Sequence, residues 1–127
     1  MISGKWLVLS HASFIWNELI TNPLPLTTLF LHSVFFYLNN PDSQADQDAL
    51  HRGLITLTGI EAITTAYVGT PADTRRPVID HTYSFSLTLV FADLAAHDVY
   101  QEHPTHLKFV ADCAHLWQRV QIYDALT

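Results

Sequence analysis

The sequence is poor in charge: charged residues make up 14% of its 127 positions, against the roughly 25% usual in soluble domains. That scarcity removes several options at once. Lysine and arginine number 6 against 12 acidic residues, for a net charge of −6, and apart from Arg75-Arg76 the basic residues are scattered. No cationic stripe is available to follow a phosphate backbone, so nucleic acid is not an expected partner. Cysteine is almost missing as well. With Cys113 as the single thiol, an internal disulfide and a cysteine-built zinc centre are both excluded, and a cytoplasmic location is the expectation. Long apolar runs are absent too. Asn17, Glu18, Asn22, Pro23 and Pro25 interrupt the N-terminal stretch, leaving nothing near the ~20 residues that a membrane span requires. Trp6-Leu7-Val8-Leu9, which follows Lys5, stops at Ser10 and His11 and makes an unconvincing targeting signal.

What is plentiful is apolar surface. Hydrophobic residues reach 49% and aromatics 12%, enough for one real core and more than a lone small domain comfortably hides, so an oligomer is expected. Pro23 and Pro25 mark a boundary between an N-terminal extension, residues 1–29, and one domain over 30–127. The extension includes an expected short helix around Ser13–Ile20, and its Trp6, Phe14 and Trp16 suit docking on the domain or on a partner subunit.

Within the domain, Phe30 to Leu38 is dense in aromatic and aliphatic residues and stops at Asn39-Asn40-Pro41, which predicts a strand and a turn. Asp42 or Ser43 then caps an amphipathic helix through Ala49, Leu50, Gly53, Leu54 and Leu57, ending near Gly59. A second strand is expected between Ile60 and Val68. The third is the clearest: Tyr83, Phe85, Leu87, Leu89 and Phe91 alternate with Thr82, Ser84, Ser86, Thr88 and Val90. Asp93 opens a short helix toward Tyr100. Pro104 opens another, carried through Leu107, Val110 and Ala114 as far as Trp117, before a last strand at Val120–Tyr123. The order β-α-β-β-α-β is that of an α+β, ferredoxin-like fold, with helices on one face of a four-stranded antiparallel sheet and the other face left to be covered.

Three stretches carry a more specific signal: His32-Ser33-Val34-Phe35-Phe36, Tyr83-Ser84-Phe85, and Val99-Tyr100-Gln101-Glu102-His103-Pro104-Thr105-His106-Leu107-Lys108-Phe109-Val110. With Trp117 and Val120-Gln121-Ile122-Tyr123-Asp124 they resemble the stress-responsive A/B-barrel (Dabb) family, from Phe30 to about Asp124. The resemblance implies a homodimer, a dimeric α/β barrel whose two sheets face each other. It does not imply one activity, since the family includes plant stress-linked proteins, a plant polyketide cyclase and many bacterial proteins without assigned chemistry. The family usually begins close to its first strand, so the N-terminal extension departs from it.

Alternation puts His32, Val34, Phe36 and Leu38 on one strand face and Ser33, Phe35 and Tyr37 on the other. If the oily face of the third strand meets the helices, Tyr83, Phe85 and Leu87 line the same interior as His32. By resemblance to the cyclase, Tyr100 and His106 project into that interior. An imidazole there can take a proton from carbon beside a carbonyl while a phenol hydrogen-bonds the developing enolate oxygen, which makes His106 a base and Tyr100 a donor. His32, Phe36, Tyr83, Phe85 and His103 complete the candidate ligand-binding set, suited to a hydrophobic small molecule. The plainer reading is that His106 caps or packs its helix and Tyr100 fills the core. Phe85 also stands where the cyclase has a further histidine, giving a less polar pocket.

His103 and His106, three apart, could face a metal, but no third ligand lies near them in sequence, so neither a metal site nor a cofactor is expected. His97, Asp112 and His115 read as solvent-facing residues of short helices. Arg75 and Arg76 read as solvated loop charges. Three functions therefore stand open: a small-molecule-binding protein with cyclase-like proton transfer, a stress-linked structural or interaction protein, and a cofactor-free monooxygenase.

Overall fold

A computed structural model describes residues 28–127; the expected N-terminal helix and any docking of the extension lie outside the described residues. The chain runs β1 (Phe30–Leu38), α1 (Gln44–Leu57), β2 (Thr65–Gly69), β3 (Phe85–Phe91), α2 (Leu94–Glu102), α3 (Pro104–Cys113), a 3₁₀ turn (Ala114–Leu116) and β4 (Trp117–Leu126). The four strands form one antiparallel sheet in the order β2-β3-β1-β4. This is the ferredoxin-like arrangement. β1 and β2 run parallel with β3 between them, which is why a helix must carry the chain from one to the other.

β1 forms where its alternation predicts. Every second residue from Phe30 to Leu38 is buried, because one face of the sheet lies under the helices and the other does not. Ser43 caps α1 through the Asp46 amide, and Leu50, Leu54 and Leu57 on one stripe are fully buried. Each such leucine contributes about 1.5–3 kcal/mol over its exposed state.

Three boundaries differ from the sequence reading. Ile60 to Thr64 is not strand: the Ile60 amide donates to Leu57 O and the Ile63 amide to Ile60 O, closing local turns that bring Ile60 into the core. β2 starts only at Thr65. β3 starts at Phe85, not Tyr83, and β4 is far longer than Val120–Tyr123, taking in Trp117, which was expected in the preceding helix.

α1 packs against α3 at a glycine. A Cβ on Gly53 would lie 2.7 Å from Cys113 Sγ and 3.0 Å from Phe109 Cδ1, so the missing side chain allows the two helices their close approach. Alanine at a helix interior is ordinarily favoured over glycine by about 1 kcal/mol. Here the steric term opposes it. Gly53→Ala is expected to lower stability by about 1–2 kcal/mol. The double variant with Cys113→Ala should be more stable than the two single losses predict, as read by urea denaturation at fixed protein concentration.

Candidate functional site

The Tyr100-x-x-His103-Pro104-x-His106 segment is a helix break with a side chain aimed from either side of it. A residue before proline is pushed out of the helical region, and His103 is extended at φ −63°, ψ 139°. That single residue ends α2 and caps α3: its Nδ1 accepts the Thr105 amide at 3.1 Å, and Pro104 takes the first helical position. Tyr100, near the end of α2, and His106, in the first turn of α3, are thereby turned toward each other. Their rings meet edge to face at 4.7 Å between centroids.

Both rings line a cavity of about 180 Å³, together with His32, Val34, Phe36 and Leu87 from the sheet, Gln101 and Phe109 from the helices, and Trp117, Val120 and Ile122 of β4. Ordinary drug-sized pockets are about 300–1,000 Å³, so this one suits a smaller molecule. Val110 and Ile122, the latter 44% exposed, also belong to the wall and set the mouth between α3 and β4. The lining is mostly aliphatic and aromatic. Its polar side chains are those of Tyr100, Gln101, His32 and His106, with the indole of Trp117.

Burial decides the protonation of these groups. Desolvation lowers the His106 pKa below its ordinary 6.5, helped by nearby His32 and His97 and opposed by the Gln101 carbonyl. Tyr100, 1% exposed, has its phenol pKa driven well up by desolvation, so it stays protonated. At neutral pH the pair is a neutral imidazole beside a phenol donor. His106 Nδ1 is also buried without a hydrogen-bond partner among the described residues. Such atoms are rare in folded proteins, and a water or a bound molecule in the cavity would satisfy this one.

His32 has its own support. It faces Asp124 across the β1–β4 ladder, and its Nδ1 lies 2.5 Å from Asp124 Oδ1. Burial lowers its pKa, with Asp124 pulling it back up. The contact orients the ring and sets its tautomer.

The sequence-predicted residues do not all converge. His32, Phe36, Tyr100 and His106 line the cavity; Tyr83, Phe85 and His103 do not. Tyr83 precedes β3, beyond a bend at Ser84, and its ring packs on Phe35 of the opposite sheet face, 5.0 Å between centroids. Phe85 is core, its ring stacked on His51. His103 is used up by its cap and by a 3.3 Å contact to Glu61, so it and His106 serve different partners.

His97 is corrected as well. It is 8% exposed rather than solvent-facing, stacked on Phe30 at 4.5 Å and tilted against His32 at 4.9 Å. It sits three residues before Tyr100 and therefore on the same helix face, a signal the spacing contained. Asp124 and Gln101 were also missed. Asp124 could have been found as the inward residue two beyond Ile122.

Comparison with known proteins agrees with this architecture. The model of the Stress responsive A/B Barrel Domain matches residues 30–126, and the chain belongs to that family. A Dabb-family protein with a ferredoxin-like fold from Mesorhizobium loti is 25% identical, covering 77% of this chain and 95% of its own, with a TM-score of 0.64. A dimeric ferredoxin-like protein from Thermobifida fusca is 16% identical over 84% and 97%, with a TM-score of 0.64. A hydroxynitrile lyase from Passiflora edulis is 17% identical over 80% and 95%, with a TM-score of 0.66. No curated protein sequence matches the chain. Among the described residues no helix is long and apolar enough to cross a membrane.

The lowered histidine pKa values carry a sign. A histidine whose pKa falls on folding binds fewer protons than the unfolded chain, so stability is lost as pH drops below 6.5 through the folded value. The expected outcome is an unfolding free energy that declines on acidification from pH 6.5, less steeply in His106→Phe. Imidazole NMR titration should place the His32 and His106 midpoints below 6.5.

Proposed function

We propose that this chain is a small-molecule-binding member of its family, taking a small, mostly apolar compound that bears a carbonyl, and that His106 and Tyr100 carry out proton transfer on it. The observation that carries this reading is the buried, unpartnered His106 Nδ1 in the wall of an apolar cavity, beside a protonated phenol. A neutral imidazole is a competent base for a proton next to a carbonyl. The phenol donates to the oxygen on which charge develops, in surroundings where water does not dilute the interaction. His32, oriented by Asp124, borders the same space and positions the ligand. A neighbouring fold member named as a hydroxynitrile lyase supports the use of this architecture for small-molecule chemistry. A purely structural role accounts less well for an open cavity with an unpaired nitrogen.

We propose further that the working unit is a homodimer joined through the uncovered sheet face. That face presents Phe35, Tyr83 and two tyrosines, Tyr67 and Tyr123, each 62% exposed. Four aromatic side chains gathered on one sheet face suit burial against a second copy. The Thermobifida fusca neighbour is described as dimeric.

Exchange of α-protons tests the chemistry. In D₂O the protein should speed deuterium incorporation into small methyl ketones such as acetophenone, followed by NMR. His106→Ala should lose about 10²–10⁴-fold of that rate and Tyr100→Phe about 10²–10³-fold. A wild-type protein that neither binds nor exchanges any of a panel of such ketones would sink the reading. For the dimer, light scattering should give twice the chain mass for the native protein and a monomer or aggregate for Phe35→Asp. A native monomer refutes it.

A further inference from the structure

We propose that His32, His97 and Asp124 form a binding site for one divalent first-row metal ion, with zinc the simplest occupant, placed beside the cavity and not within it. Three separate elements supply the donors, β1, α2 and β4, and one ligand atom from each lies within 4.8 Å of the other two. Two imidazoles and a carboxylate, with no sulfur, are a donor set that zinc and its first-row neighbours accept, with water in the remaining positions.

The surroundings fit such an ion. His32 and His97 are 3% and 8% exposed, and Phe30 and Phe91 pack against the His97 ring. Asp124 is half-exposed on the edge strand, which leaves an entry path and room for water ligands. The contacts of His97 favour the tautomer that such a site needs. Its Nε2 receives the Gln101 side-chain amide at 3.1 Å and therefore holds a lone pair, while its Nδ1 donates to Asp98 Oδ1 at 3.2 Å. A carboxylate behind the far ring nitrogen is the usual support of a metal-bound histidine.

Loading the site is a balanced exchange. The single proton of the neutral His32 ring, now on Nδ1 against Asp124 Oδ1, shifts to Nε2 by exchange with water, which frees the Nδ1 lone pair and the carboxylate with no net loss of a proton. Bonds form from the ion to His32, His97 and Asp124, and the Gln101 amide gives up its place at His97 Nε2. Bonds of about 2.0–2.2 Å ask the close His32–Asp124 pair to open slightly and His97 to draw in, both small movements for side chains at a strand end and on a two-turn helix.

This inference shares His32 with the proposed pocket, but it needs neither Tyr100 nor His106. The test uses the full chain stripped with a chelator and titrated with zinc chloride by calorimetry. One ion per chain is expected, bound about tenfold or more weakly by His97→Ala and by Asp124→Asn, and equally well by His115→Ala, an exposed histidine. A measurement without variants guards against misfolding: on cobalt(II) addition to the unaltered protein, the imidazole NMR signals of His32 and His97 should broaden before those of His51, His81 and His115. Absence of zinc binding, binding unchanged in both variants, or cobalt acting first on the exposed histidines overturns the proposal. Zinc binding together with no ketone exchange by the chelator-stripped protein would leave this site standing and remove the proton-transfer reading; exchange by the stripped protein with no zinc binding would do the reverse.

Discussion

The helix break at His103-Pro104 is the constraint on which the rest of the site depends. An uninterrupted helix from Leu94 to Cys113 would be rigid and straight, and residues six apart would lie far around its surface. Proline forbids the preceding residue its helical conformation, and His103 answers by turning extended and capping the next helix with its own ring. Two short helices then meet at an angle over the sheet. Tyr100 and His106, on opposite sides of the break, become neighbours. The histidine between them is structural, although its residue type suggests chemistry.

Much of the fold was legible because its strongest signals are local. β1 was readable to the residue, since nine alternating positions are hard to satisfy any other way. Asp42 or Ser43, then Asp93 and Pro104, announced the helix starts through capping chemistry or first-turn preference, and the structure uses Ser43, Asp93 and Pro104. The errors have a shared origin in tertiary context. Ile60 and Ile63 favour strands intrinsically, yet the chain uses them in tight turns leaving α1, where Ile60 plugs the core. β4 was truncated in the sequence reading because an edge strand with one half-covered face does not need strong alternation.

The site was legible in part for the same reason. Tyr100 and His106 came from a resemblance and from their motif, and His32 from the parity of β1. Tyr83 was misplaced by carrying the alternation past the end of its strand: the bend at Ser84 resets the parity, and the ring emerges on the other face. His97 was missed because polarity was read as exposure, and Asp124 because its partner His32 lies on another strand. Two buried imidazoles and a carboxylate satisfy one another and their neighbours, and that mutual satisfaction is invisible until the elements bearing them are brought together.

The mouth of the cavity is made from β4 and the outer side of α3, the least buried parts of the layer, while β1 and β3 supply the fully buried floor. Load-carrying and ligand-facing positions are thus largely held by different residues. Val110, Val120 and Ile122 can be exchanged for larger or smaller side chains with little penalty to the scaffold, whereas Val34, Phe36 and Leu87 cannot. A lineage built on this plan can retune what it admits one rim residue at a time, keeping the fold through many changes of guest.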